Sequence, residues 1–233
     1  MLEYIGMEWW KTLFNKDYLD TYGDVTGPEV TKLQVDFLMP FVRKEDYILD
    51  LACGQGRHTN ELWERGYTVV GLDYSYELLK EARKGQGLFK HGDMRNLPFH
   101  DATFDTVFCM MSSFGYFESE EDHQRVTDEV YRVLKPGGTF VLDLKSPHYN
   151  HEGESVDTLS NGLVVKTIDR KEGNRWVTTR SWGEKEYTSS MRVFTKDEAK
   201  NLLSKFYKVN SFGSYRHLPF AETSKRMLLV AKK

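Results

Sequence analysis

Three carboxylates stand where they could do chemistry: Asp50 inside "ILDLACGQGR", Asp73 ending "YTVVGLD", and Asp93 in "HGDMRNLPF". The first lies in an apolar run that ends in a Gly-Gln-Gly turn, Gly54 to Gly56, and a helix-like segment follows. Such a strand, turn and helix brings backbone N–H groups close to a ligand. A phosphate loop would need Gly-Lys-Ser/Thr after a longer glycine spacing, and "GQGRHT" has none. A dinucleotide fingerprint would put a small residue at position 59, where this chain has Thr59. Asp50 repels a phosphate but suits an ammonium, held directly or through water. Asp73, 17 residues past Gly56, is placed to accept both hydroxyls of a ribose. Asp93 suits an exocyclic amine, with Met94 packing on a purine. Three acids at neighbouring strand ends fit a nucleoside that carries a cation and fit a diphosphate badly.

Positioning these residues takes a particular alternation of elements. The first forty residues are helical and aromatic, with Trp9, Trp10, Phe14, Tyr18 and Tyr22 mostly at helical spacing, and "GDVTGP" breaks them from a second helix over about 30–41. From Tyr47 strands alternate with helices: "YILDL", a helix from Arg57, "YTVVGLD", a helix over 76–84, a short strand near 88–91, "FDTVFCMM", a helix over about 120–134, and "TFVLDL" after "KPGG". That order predicts an α/β fold with a doubly wound, mostly parallel sheet. After Leu144 the chain turns β-branched and aromatic, and "GLVVKTIDR", "RWVTTRSWGEKEYTS" and "SMRVF" predict an antiparallel insertion over 146–194. Thr195 and Glu198 form a capping box for a helix over 196–205, and two strands, about 208–215 and 227–231, end the chain. The predicted organisation is a helical cap over 1–45, a ligand-binding core over 46–145, the insertion over 146–194 and a completing segment over 195–233.

Composition bounds the rest. The 233 residues are 39% hydrophobic and 14% aromatic, enough for one core with an inserted subdomain. "MLEYIGMEWW" lacks the basic and apolar regions of a signal peptide, and no run approaches a membrane span, so a cytoplasmic protein with no membrane partner is expected. Cys53 and Cys109 lack metal-ligand spacing and read as small buried residues, so no metal is expected. The net charge of −3 is uneven: residues 1–144 hold 15 basic against 25 acidic side chains, residues 145–233 hold 17 against 10. The acidic half argues against broad nucleic-acid contact, while the basic half fits either an uneven surface or an acidic substrate.

In this order, "ILDLACGQGR", "GLDYS", "GDMRNLPF", "FDTVFCMMSSFGYF" and "RVLKPGGTFVLDL" resemble the class I S-adenosylmethionine-dependent methyltransferases over roughly residues 30–145. The resemblance implies a seven-stranded sheet with an antiparallel last strand, and S-adenosylmethionine as cofactor, leaving as S-adenosylhomocysteine. By that resemblance Ala52, Gly54 and Gly56 let the backbone approach the methionine moiety, with Asp50 supporting the turn. Asp73 holds the ribose, Tyr74 flanks the adenine, Asp93 and Met94 meet its edge, and the Met110 carbonyl takes the ammonium. Tyr22, with Tyr18, is expected to fold over the cofactor as a lid, although helix packing accounts for both equally. Relatives with Arg-Thr before the glycine turn clamp the methionine carboxylate there; here Val30-Thr31 stands in that place, with Lys32 beside it.

Ser112, Tyr116, His58 and Arg192 are the candidates to face the acceptor. His58 reads either as a base or as a hydrogen-bonding residue at a helix start. The insertion is expected to lie as a lid over the carboxyl ends of the sheet; an edge extension or a homodimer contact is the alternative. The expected function is methyl transfer to oxygen or nitrogen of a small molecule. The rivals are an RNA or protein methyltransferase and a non-catalytic binder of the same cofactor. An Asn-Pro-Pro-Tyr-type tetrapeptide, frequent in DNA and amide methylating relatives, is absent.

Overall fold

The computed structural model describes residues 8–22, 26–149 and 151–233. The opening residues 1–7 and part of the "GDVTGP" break therefore lie outside the described residues. Two short helices, α1 (Trp10–Leu13) and α2 (Lys16–Tyr22), precede α3 (Pro28–Leu38). Strand β1 (Tyr47–Leu51) leads through the glycine turn into α4 (Arg57–Glu64), followed by β2 (Thr68–Asp73), α5 (Tyr76–Ala82), β3 (Leu88–His91), β4 (Phe104–Cys109), α6 (Glu120–Val133) and β5 (Leu134–Lys145). The insertion contributes β6 (Gly153–Thr158), β7 (Val164–Glu172), β8 (Arg175–Trp182) and β9 (Lys185–Arg192). Helix α7 (Lys196–Leu202) and strands β10 (Lys208–Phe212) and β11 (Arg226–Lys232) end the chain.

The main sheet has seven strands in the order β10-β11-β5-β4-β1-β2-β3. Strands β1 to β5 pair in parallel, and β11 is antiparallel to both β5 and β10. This is the doubly wound, mostly parallel fold expected from the alternation of elements. Its strands are buried on both faces, because side chains alternate across a pleated strand. Leu49, Cys109 and Leu142 enter one core, whereas Ile48, Phe108 and Val141 enter the other. The strand order reverses between β1 and β4, so the chain leaves their carboxyl ends toward opposite faces of the sheet and a crevice opens there.

The insertion is a separate four-stranded antiparallel sheet, β6-β7-β8-β9, not an extension of the main sheet's edge. Two-residue loops join β7 to β8 at Gly173-Asn174 and β8 to β9 at Gly183-Glu184, with Gly173 at φ 60° and Gly183 at φ 55°. Glycine supplies the left-handed backbone such loops require. Strands β8 and β9 back the N-terminal helices: Lys185 Nζ lies 2.7 Å and Tyr187 Oη 3.1 Å from Asp17, and Arg180 of β8 donates to the Thr21 carbonyl at 2.9 Å. Among the described residues no helix is long and apolar enough to cross a membrane.

Candidate active site

The turn after β1 is built from left-handed backbone, with Ala52 at φ 58°, Gly54 at φ 55° and Gly56 at φ 75°. The two glycines are needed for different reasons. A Cβ on Gly56 would stand 2.6 Å from the Phe89 ring and 2.8 Å from Ala82, so the packing of α4 on β3 and α5 requires its absence. A Cβ on Gly54 would meet only Leu78, at 3.8 Å; what it would occupy is the open space over the turn. That bare backbone is what a closely approaching ligand needs.

Two buried acids brace this turn. Asp73 accepts from the Gly54 N–H at 2.7 Å on one oxygen and from the Ser75 N–H at 2.8 Å on the other. Burial raises its pKa, and these backbone donors pull it back down. Asp50, 1% exposed, accepts from Thr59 Oγ1 at 2.7 Å. Its burial is less well compensated and pushes the carboxyl up to about 7. The Cys53 and Cys109 thiols are free and buried, and burial raises both, so neither is a reactive thiolate.

A cavity of about 270 Å³ opens over the turn at the carboxyl ends of β1, β2 and β4. Of the sequence-predicted residues, Asp50, Ala52, Gly54, Asp73, Tyr74, Asp93, Met94, Met110, Tyr22, His58 and Tyr116 line it. Helices α1 and α2 roof it with Trp9, Trp10, Phe14 and Tyr18, and Ser189 of β9 reaches the same space. Among the described residues no cluster of His, Cys, Asp and Glu is arranged to hold a metal.

Some of the predicted residues lie off the cavity, and others reach it already engaged by neighbours. Gly56 is not on the cavity wall; it is buried beneath the turn at the start of α4. Arg192 is also elsewhere, 2.7 Å from Glu120 and 2.7 Å from Glu198, a charge buried because two acids neutralise it. Ser112 is turned away as well, its Oγ accepting from Arg226 Nη2 at 2.9 Å, and the neighbouring Ser113 lines the cavity instead. Asp93 faces the cavity, but Arg95 Nε approaches both its oxygens at 3.1 Å and Arg95 Nη2 one of them at 2.7 Å. The Met110 carbonyl already accepts from Ser113 Oγ at 2.9 Å. His58 donates from Nε2 to Gln34 Oε1 at 2.8 Å, and burial holds its pKa well below the usual imidazole range, which makes it a weak base.

Arg57 was not anticipated as a site residue. It lines the cavity, donates from Nη1 to Thr31 Oγ1 at 3.0 Å, and has no carboxylate within ion-pair distance among the described residues. Burial lowers its pKa, opposed by the field of Asp50. Lys32, by contrast, is exposed. The available sequence signal was the cation directly after the glycine turn, together with the missing Arg before Thr31.

Comparison with known proteins accords with this geometry. A protein-family model described as a methyltransferase domain matches residues 49–142. The glycine/sarcosine N-methyltransferase of Aphanothece halophytica is 39% identical over 211 residues, covering 80% of this chain and 76% of that protein. The chloroplastic 2-phytyl-1,4-beta-naphthoquinone methyltransferase of Arabidopsis thaliana is 36% identical over 141 residues, covering 54% of this chain and 50% of that one. The chain thus spans about half the length of several curated relatives it matches. The CcbJ methyltransferase of Streptomyces caelestis superposes with a TM-score of 0.81 at 16% identity, over 95% of this chain and 98% of that one, a likeness of fold. The chain belongs to the class I S-adenosylmethionine-dependent methyltransferases.

Proposed function

We propose that this chain transfers the methyl group of S-adenosylmethionine to oxygen or nitrogen of a small-molecule acceptor. The observation that carries the reading is one cavity holding a strand-end carboxylate, a glycine backbone clear of side chains and a guanidinium with no acid partner among the described residues. These suit, in turn, a ribose, a methionine chain and its carboxylate. Asp73 would accept the ribose hydroxyls on lone pairs its backbone donors leave free. Tyr74 and Met94 would flank the adenine, and Asp93 would meet its edge only on the lone pairs that Arg95 leaves. Arg57 would clamp the carboxylate, and Asp50 would draw the ammonium. The bound cofactor supplies a methyl group on a sulfonium; the residues of this chain orient the reactants and exclude water. The enclosing aromatic roof supports a small acceptor over a polymer, and a cytoplasmic setting goes with this proposal.

Calorimetry is expected to show S-adenosylmethionine and S-adenosylhomocysteine binding in the micromolar range, about −7 to −8 kcal/mol. A cell extract incubated with methyl-labelled cofactor should yield a labelled small molecule. Binding of NAD with no response to either ligand would sink the reading, and cofactor binding with no turnover would reduce the chain to a binder.

Asp50 adds a pH dependence whose sign is fixed. Its folded pKa is raised from 3.8 to about 7, so protonation favours the folded state as pH falls toward that value, and folding stability declines as pH rises from the unfolded value to the folded one. A cationic ligand favours the ionised form, so its affinity is full above about 7 and is lost as pH falls through it. S-adenosylhomocysteine affinity should rise up to about tenfold between about pH 6 and about pH 8. Asp50→Asn should flatten the profile; an unchanged slope in that variant would acquit Asp50.

A further inference from the structure

Resting on the methyltransferase reading, the geometry points to the part of the cavity under α1 and α2 as the acceptor subsite, and we propose that it takes a planar aromatic acceptor bearing a hydroxyl group. Its walls are rings: Trp9 packs edge-on to Tyr116 at 5.1 Å, Phe14 lies 5.5 Å from Tyr116 and 5.0 Å from Tyr18, and Tyr18 stacks on Tyr22 at 4.4 Å. Flat apolar faces of this kind hold a flat ligand by stacking and edge contacts.

Polar groups in the same walls narrow the class. The Tyr18 and Tyr116 side chains line the cavity, and neither hydroxyl has a hydrogen-bond partner among the described residues. Burial raises both phenols far above their ordinary range, so they stay neutral and can each donate and accept. A phenol meets both hydroxyls, donating to one and accepting from the other, while its ring lies against the aromatic walls; a small aliphatic amine leaves those ring faces uncovered. A carboxylate-bearing acceptor is no better served. The basic side chains lining the cavity among the described residues are Arg57, taken by Thr31 and the proposed methionine clamp, and His58, which burial keeps neutral and without charge for a carboxylate. Asp50, Asp73 and Asp93 face the same space and repel a second carboxylate. A neutral hydroxylated ring satisfies the stacking walls and the free donors without introducing a charge.

The test titrates protein saturated with S-adenosylhomocysteine against catechol, hydroquinone and naphthol, and against glycine, sarcosine and ethylamine, by calorimetry. The phenols are expected to bind and the aliphatic compounds not. Tyr18→Phe and Tyr116→Phe keep the rings and remove one hydroxyl each; each should weaken phenol binding about three- to tenfold, with S-adenosylhomocysteine affinity unchanged. Glycine, sarcosine or ethylamine binding in preference to every phenol overturns the proposal, as does phenol affinity indifferent to both substitutions. Those results would leave the methyltransferase reading standing. Only failure of the unsubstituted protein to bind S-adenosylhomocysteine removes both.

Discussion

Asp73→Ala is expected to weaken S-adenosylhomocysteine binding by roughly ten- to several-hundred-fold and to lower the melting temperature as well. The charge-assisted bonding of the carboxylate to the ribose hydroxyls, net of the backbone donors it already serves, is worth about 1.5–3 kcal/mol in all, and about 1.4 kcal/mol is tenfold in affinity. Taken as a strand-end acid at a cleft, Asp73 would leave the fold almost indifferent to its loss. Its two backbone bonds contradict that indifference: the Gly54 and Ser75 N–H groups both lose their acceptor when the carboxylate goes. An unsatisfied buried donor costs about 1–3 kcal/mol, so the glycine turn itself should loosen. Asp73→Asn keeps the shape but turns an amide N–H toward one of those donors, so it too should destabilise the turn. Calorimetry with S-adenosylhomocysteine, adenosine and methionine, alongside a thermal melt, reads both effects. Adenosine should lose much affinity and methionine less, through the turn alone. Adenosine affinity unchanged in a folded Asp73→Ala protein would leave Asp73 a purely structural brace.

That double role marks the limit of what was legible in the residues. The alternation of strands and helices was, because each parallel strand is a short apolar run bounded by turn residues, and "YILDL" and "YTVVGLD" became β1 and β2 within the quoted stretches. Asp50 and Asp73 were legible as carboxylates at the crevice because strand ends converge there in any doubly wound sheet. What a side chain already touches was not. Arg192 looks like a cation at the end of a β-strand; that Glu120 and Glu198 neutralise it depends on α6 and α7 both packing near β9. The Arg95 grip on Asp93 is local in sequence, yet the same guanidinium also reaches Glu8, 2.8 Å away, and Asp122, 2.9 Å away. Strand β6 escaped notice for a different reason. "GESVDT" is exposed along its whole length, so no apolar alternation betrays it, and only its pairing with β7 makes it a strand.

Arg57 carries the second large effect. Arg57→Met keeps most of the side-chain length and removes the guanidinium, and it should weaken S-adenosylhomocysteine binding by about ten- to a hundredfold. The loss is that of a charge-assisted pair with the methionine carboxylate, about 1.5–3 kcal/mol. Methylthioadenosine, which has the nucleoside but no carboxylate, should bind the variant as it binds the parent. The stability change should have the opposite sign to that of Asp73→Ala. The Arg57 guanidinium is half-buried with a single hydroxyl partner among the described residues, Thr31, and burial disfavours its charge. Removing a charge that no carboxylate among those residues pairs with relieves a desolvation cost, so the melting temperature should hold or rise. Arg57→Lys keeps the charge but not the fork that meets a carboxylate with two parallel bonds, and it should restore part of the affinity. Equal weakening of S-adenosylhomocysteine and methylthioadenosine by Arg57→Met would place the guanidinium away from the carboxylate. The charge would then act on the turn as a whole, through its field on Asp50.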